Sequence, residues 1–318
     1  MKKINIIFLL LIGLVLSISG CSKTNDSTEI SETNNLNGVL LYDSGEHTYK
    51  LDLSTSTRSI YFPRNNYSLN GWDVSWDGGL RLETENVTGE FDKVRFKLVN
   101  SESNTITKEF VYENPNSEDR QINGLLSPDK SLIVIQPDFK HGIVIIDTEG
   151  NVKHHLSSVN NTELTLGDEV VWLPNNSILF TFGKFILKSD PPYTSITRIK
   201  EMQYSDWGNI NANADGSKIS LRIDKHIYLM KADGTDLVQV TESDREEREA
   251  VFSPDGRYLL VAADYYPGTF HSGTWTLNII PADGNEYKVG NKPGDGVFVI
   301  RPNSGENEEK ARNRMLWR

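Results

Sequence analysis

Ala250-Val251-Phe252-Ser253-Pro254-Asp255-Gly256-Arg257-Tyr258-Leu259-Leu260-Val261 is an apolar strand, a tight turn and an alternating apolar strand in succession. The Asp-Gly pair supplies the positive φ that such a hairpin turn demands. The phrase recurs along the chain as Val74-Ser75-Trp76-Asp77-Gly78, Leu126-Ser127-Pro128-Asp129-Lys130, Trp172-Leu173-Pro174-Asn175-Asn176 and Asn213-Ala214-Asp215-Gly216. Successive copies are 52, 46, 40 and 40 residues apart, measured from Asp77 through Asp129, Asn175 and Asp215 to Asp255. That spacing is the period of propeller blades.

A second phrase follows the first, a strand ending in another acidic-Gly turn. It is seen at Ile143 to Gly150, at Ile227-Tyr228-Leu229-Met230-Lys231-Ala232-Asp233-Gly234 and at Leu277 to Gly284. Two hairpins per repeat make one four-stranded antiparallel blade. Gly38 to Phe62 supplies three strands of a blade but no first strand, and Arg314-Met315-Leu316-Trp317 at the other terminus reads as the missing one. The sequence therefore predicts an all-β, six-bladed propeller over residues 38–318, closed by pairing of the C-terminal strand beside Val39 to Tyr42. Closure removes the exposed sheet edges that invite aggregation.

Phe252-Ser253-Pro254-Asp255-Gly256-Arg257, together with Ile227 to Thr235, resembles the repeat of TolB-type propellers. The resemblance covers nearly all of residues 38–318 and is strongest in the last two complete repeats. It implies a fold more than an activity, because propellers host many functions. It also implies binding of envelope proteins through the propeller face and channel. The chain departs from TolB in having no α/β domain ahead of the first blade, so no TolB binding residue is carried over by motif. TolB-like blades also accompany the α/β catalytic domain of prolyl oligopeptidase-type enzymes, for which no segment is left here.

Lys2 and Lys3, the apolar run Ile4 to Leu16 and the small residues Ser17 to Gly20 read as a cleavable export signal, residues 1–20. The run is shorter than the roughly 20 apolar residues of a spanning helix. Ile18-Ser19-Gly20-Cys21 resembles the bacterial lipobox, which implies acylation of Cys21, the only cysteine of the chain. Residues 22–37, rich in Ser, Thr, Asn and acids, have no hydrophobic periodicity and read as a flexible tether with a reach of roughly 20–24 Å. Net charge is -11 over the whole chain and becomes -13 once Lys2 and Lys3 are removed with the signal. Such a surface argues against nucleic acid or anionic lipid as a direct partner, since both require clustered Lys and Arg.

Repeat order places the short Asp-Gly turns on one face of the propeller, with a structural role. Loops between blades, and those joining second to third strands, fall on the other face. There the sequence concentrates the anchor residues of interfaces. The candidates are Trp72, Tyr204, Trp207, Arg245, Arg248, Tyr265, Tyr266, Phe270, His271 and Trp275. The competing reading is that these aromatics cover a blade and that the Asp244 to Glu249 charge run is merely solvated.

No Gly-x-Ser-x-Gly elbow, phosphate loop or dinucleotide fingerprint occurs. His47, His141, His154, His155, His226 and His271 form no metal motif, although His226 and His271 could converge at a channel. No cofactor, metal or catalytic residue is assigned. The expectation is a monomeric, lipid-anchored, extracytoplasmic binding scaffold for an envelope protein or glycan. The alternative is a carbohydrate-active lyase or glycoside hydrolase with carboxylates at the channel mouth. A channel lined only by Ser, Ala and Val would instead mark a purely structural protein.

Overall fold

The Ser-x-Asp turns fold alike because the same side chains close them. Ser75, Ser127 and Ser253 each donate a hydroxyl hydrogen bond to the carboxylate two residues on, at 2.6, 2.7 and 2.7 Å. Each hydroxyl oxygen also accepts the backbone N–H five residues on, from Leu80, Leu132 and Tyr258, at 2.9, 2.9 and 3.0 Å. In the copy at Asn213 an amide oxygen replaces the hydroxyl and accepts from Lys218 N–H at 2.9 Å. Gly78, Gly216 and Gly256 take positive φ at the turn, but so do Lys130 and Asn176 at the equivalent positions.

These turns organise four separate four-stranded antiparallel sheets. In the computed structural model, which describes residues 36–64, 69–90, 92–113, 122–137, 141–268, 273–305 and 307–318, they follow one another along the chain. The first comprises Leu69–Val74, Leu80–Asn86, Lys93–Asn100 and Ile106–Glu113. The second comprises Gly124–Leu126, Leu132–Ile135, Ile143–Asp147 and Val152–Leu156. The third comprises Val170–Trp172, Ile178–Phe182, Phe185–Ser189 and Thr197–Glu201, and the fourth Trp207–Ala212, Lys218–Ile223, His226–Lys231 and Val238–Gln239. The export signal and most of the tether predicted from the sequence lie outside the described residues.

The expectation of six separate blades is corrected here, because the remaining large elements form a single eight-stranded sheet. The joining element is Lys310–Trp317, which pairs on both sides. It meets Thr274–Pro281 through Trp275↔Ala311 and Thr276↔Lys310, and Val39–Ser44 through Leu40↔Trp317, Leu41↔Leu316 and Tyr42↔Met315. A strand long enough to change partners partway merges what would otherwise be two sheets.

The sheets form a propeller, with their first strands packed side by side around a common axis. Hydrophobic cores lie between neighbouring sheets: Leu125, Val134, Ile143 and Ile145 of the second pack against Val170, Trp172, Ile178 and Phe180 of the third. Among the described residues no helix is long and apolar enough to cross a membrane.

Candidate functional site

A propeller has two places to hold a ligand, its axis and its loop faces, and the described residues furnish both. On the axis, the inner edge of each first strand offers backbone groups to no further strand, so side chains of neighbouring blades occupy them. Asp73 accepts Leu126 N–H at 2.8 Å, Trp172 Nε1 donates to Leu125 O at 2.9 Å, and Ser220 donates to Ala250 O at 2.9 Å. Glu169 accepts the N–H groups of Asn209 and Ile210 at 2.7 and 2.8 Å.

Four residues before the turn position of each repeat, the chain carries Gly71, Asn123, Glu169, Asn209 and Glu249, and Arg314 stands four before Arg318. In a propeller arrangement these equivalent positions face the axis, and all but Gly71 are polar. A Cβ at Gly71 would lie 2.1 Å from Asn123 Oδ1, so a larger residue there would displace the Asn123 side chain. Arg314 Nη2 donates to Asp73 Oδ1 at 2.7 Å, and Arg318 Nη2 lies 3.9 Å from the same oxygen. The Glu249 backbone oxygen accepts Ala262 N–H at 2.9 Å, but no hydrogen bond to its carboxylate is made among the described residues. Burial pushes its carboxyl up to about 7, against the pull of Arg314 and Arg248 and reinforced by Glu169. Burial also raises Glu169, and its two backbone hydrogen bonds oppose this.

Further along the axis lies a cavity of about 140 Å³, lined by Trp76, Leu125, Val171, Trp172, Val251 and Leu316 among others, with Asp73, Arg314 and Arg318 at a polar pole. Ser253, Pro254 and the exposed Ala214 also line it, so it reaches the face of the Asp-Gly turns. Sequence reasoning gave that face only a structural role. The channel is charged, unlike the blank one a purely structural protein would carry. The available signal was the turn-relative spacing of Asn123, Glu169, Asn209 and Glu249.

On the loop face, the structure brings together Arg248 and Tyr265. Tyr265 N–H donates to Glu246 O, and Arg248 N–H to Ala262 O, both at 2.8 Å. The Arg248 guanidinium lies 5.4 Å from the Tyr265 ring centre, while Tyr266 is 64 % exposed and the neighbouring Arg245 is exposed. Trp207 is half-buried, next in sequence to Asp206, whose carboxyl is held low by Arg222 and, more weakly, by Arg248. Tyr204 is exposed beside Tyr228, with ring centres 6.4 Å apart.

Trp72 and Trp275 do not join this surface. Trp72 is 3 % exposed, donates Nε1 to Asp43 at 3.0 Å and packs edge-on against Phe62. Trp275 is 4 % exposed in a core shared with Leu277 and Trp317. Both rings serve packing. Phe270 and His271 lie outside the described residues, as does Cys21.

The charge run is also not uniformly solvated. Glu247 is fully buried, accepting from Thr241 at 2.9 Å and from Ser243, with His226 Nδ1 at 2.8 Å. His226 thus has a carboxylate partner within its own loop region, and among the described residues no three His, Cys, Asp or Glu side chains are placed to hold one metal ion.

The fold is a β-propeller of the TolB-like kind. The fold is similar to TolB from Acinetobacter baumannii, with 17% sequence identity and a TM-score of 0.57 over 88% of this chain. The chain spans 66% of the length of that structure. A putative TolB from Agrobacterium tumefaciens matches with 15% identity and a TM-score of 0.57, covering 78% of this chain and 86% of that one. A nidogen/laminin complex matches with 10% identity and a TM-score of 0.53, over 78% and 93% of the respective chains. No protein-family model matches the sequence. No curated protein matches it either.

Proposed function

We propose that this chain is an extracytoplasmic binding scaffold, anchored through lipidated Cys21 and presenting its loop face to an envelope protein or glycan. What supports the reading is the Arg248 guanidinium 5.4 Å from the Tyr265 ring centre, on segments joined by the Tyr265–Glu246 and Arg248–Ala262 backbone hydrogen bonds, with Arg245 exposed and Tyr266 64 % exposed in the same segments. Arg and Tyr in a fixed arrangement give contact area and directed hydrogen bonds at small ordering cost. Tyr204 and Trp207 extend the same surface in this proposal.

The working architecture is a six-bladed ring in which the eight-stranded sheet serves as two blades. The Leu40↔Trp317 register supports this, because it gives Val39–Ser44 the inner neighbour that its repeat lacks. Residues 1–20 are the export signal and 21–37 the tether, which lets a monomeric domain stand off the membrane.

Crosslinking of the full-length protein in its native envelope tests the reading, comparing wild type with a Tyr266→Ala, Arg245→Ala variant of matched thermal stability. A partner recovered with wild type and lost with the variant is expected; equal recovery from both overturns the loop face as the binding surface. A carbohydrate-active enzyme is the second reading, favoured only by Glu249, whose carboxyl is pushed up to about 7 in the channel beside Glu169. Turnover of a cell-wall glycan that is lost in Glu249→Gln would support it.

A further inference from the structure

The axial cavity is lined by the residues two before the turn position of each repeat: Asp73, Leu125, Val171, Asn211, Val251 and Leu316. Four of these are aliphatic, and Trp172 and Phe252 extend the apolar wall. At about 140 Å³ the cavity is close to the roughly 150 Å³ that holds one benzene ring. The exposed Ala214 and Pro254 line its rim on the face of the Asp-Gly turns.

The charged residues in this lining are Asp73, Arg314 and Arg318, two cations to one carboxylate. Asp73 is already engaged: one oxygen accepts Leu126 N–H at 2.8 Å, and the other accepts Arg314 Nη2 at 2.7 Å. Arg318 Nη2 stands 3.9 Å from that second oxygen, beyond hydrogen-bond reach. Arg318 is also fixed in place. Its main chain pairs with Val39 in both directions, at 2.9 and 2.6 Å, while Nε donates to Val74 O at 2.9 Å and Nη1 to Trp317 O at 3.1 Å. Among the described residues Nη2 has no acceptor. The side chains of Arg318 and Arg314 nevertheless keep 19 % and 28 % exposure, so both can be reached. Burial pushes the Arg318 guanidinium down to about 10, with Asp73 opposing and Arg314 reinforcing. Glu249, which acts on Arg314, does not line the cavity. A fixed, partly desolvated cation short of an acceptor calls for an anion.

The wall restricts which anion fits. A sugar acid would set unpaired hydroxyls against Leu125, Val171 and Val251. A multiply charged phosphate would exceed the one net positive charge and bury the remainder against aliphatic carbon. A cationic ligand would find both Asp73 oxygens taken. A carboxylate carries one charge and matches the guanidinium fork, and an apolar body fills the remaining space.

We propose that the axial cavity binds a small monocarboxylic acid with an aromatic or branched aliphatic body. The carboxylate lies against Arg318 and Arg314, and the body packs among Val171, Trp172, Val251 and Leu316. The site is reached from the turn face, so its failure and that of the loop-face reading are distinguishable.

The test uses the purified full-length protein, with tryptophan fluorescence as the readout because Trp76, Trp172 and Trp317 line the cavity. Phenylacetate is the probe; 2-phenylethanol removes its charge, phenethylamine reverses it and acetate removes the ring. A saturable change with phenylacetate is expected, with each comparator at least about tenfold weaker, or about 1.4 kcal/mol. Arg318→Gln should weaken phenylacetate to a similar degree and leave 2-phenylethanol unchanged. Ala214→Phe, at an exposed position on the rim, should abolish the response to phenylacetate while preserving the circular dichroism spectrum. No saturable response to phenylacetate would overturn the proposal. Equal affinity for 2-phenylethanol or acetate, or an unaltered response in Ala214→Phe, would overturn it as well.

Discussion

At the scale of single residues, two carboxylates show how environment sets role. Asp129 accepts from Ser127 and twice from Ser131, and Asn176 of the next blade donates to its other oxygen at 2.7 Å. Although burial pushes the other way, these bonds hold its carboxyl down at about 2, so it stays ionised and works as a turn staple. Glu249 has no such donors, and burial pushes it up to about 7 from 4.5. A folded-state value above the unfolded one means that its contribution to stability is present below about pH 4.5 and is lost as pH rises through about 7. Glu249→Gln should therefore raise the unfolding free energy by about 1–3 kcal/mol at about pH 8 and leave it unchanged at about pH 4. Urea titrations at the two pH values check this, and an equal effect at both would sink the assignment.

At the scale of elements, the first strands of the blades are exposed edges turned toward the axis. Most of them receive a side chain from a neighbour rather than another strand, and this links adjacent blades. Lys130 with Asp77, at 2.5 Å, adds an exposed ion pair between turns, which contributes little by itself. The buried bonds matter more. Trp172→Phe keeps the ring within its core but leaves Leu125 O without its indole donor. It should cost about 1–3 kcal/mol, a buried acceptor's desolvation penalty. Thermal unfolding measures the loss; an unchanged midpoint would mean that water replaces the indole N–H.

At the scale of the whole molecule, the two ends of the domain meet. Trp317 is 2 % exposed, donates Nε1 to Asn37 O at 2.9 Å and shares a core with Leu40, Tyr42 and Leu51. Arg318 Nε donates to Val74 O at 2.9 Å, reaching the first blade. Removing Met315 to Arg318 takes away a buried Trp and the inner neighbour of Val39–Ser44. The loss should exceed the roughly 3–5 kcal/mol of a single buried Trp truncation. A deletion variant with unaltered thermal stability would refute the ring as proposed.

The strand-turn-strand phrase was legible because local rules write it. Positive φ is met by Gly78, Gly216 and Gly256, and the Ser and Asp side chains that close each turn lie within five residues of their partners. The proposed lipid anchor and tether are likewise read from adjacent residues. Burial was not legible, because it depends on which segments stack. Trp72 and Trp275 look like interface anchors in sequence, and only the packing of neighbouring blades turns them inward. Glu169, Glu249 and Arg314 are distant in the chain and unremarkable among many charges. They face one axis because first strands of successive blades share it, and burial there, absent from any local pattern, is what gives Glu249 a carboxyl that titrates near neutrality. The sequence by itself determined the repeat, its turns and its class of fold; tertiary structure decided which charged groups lose their water, because desolvation is a property of the assembled surroundings.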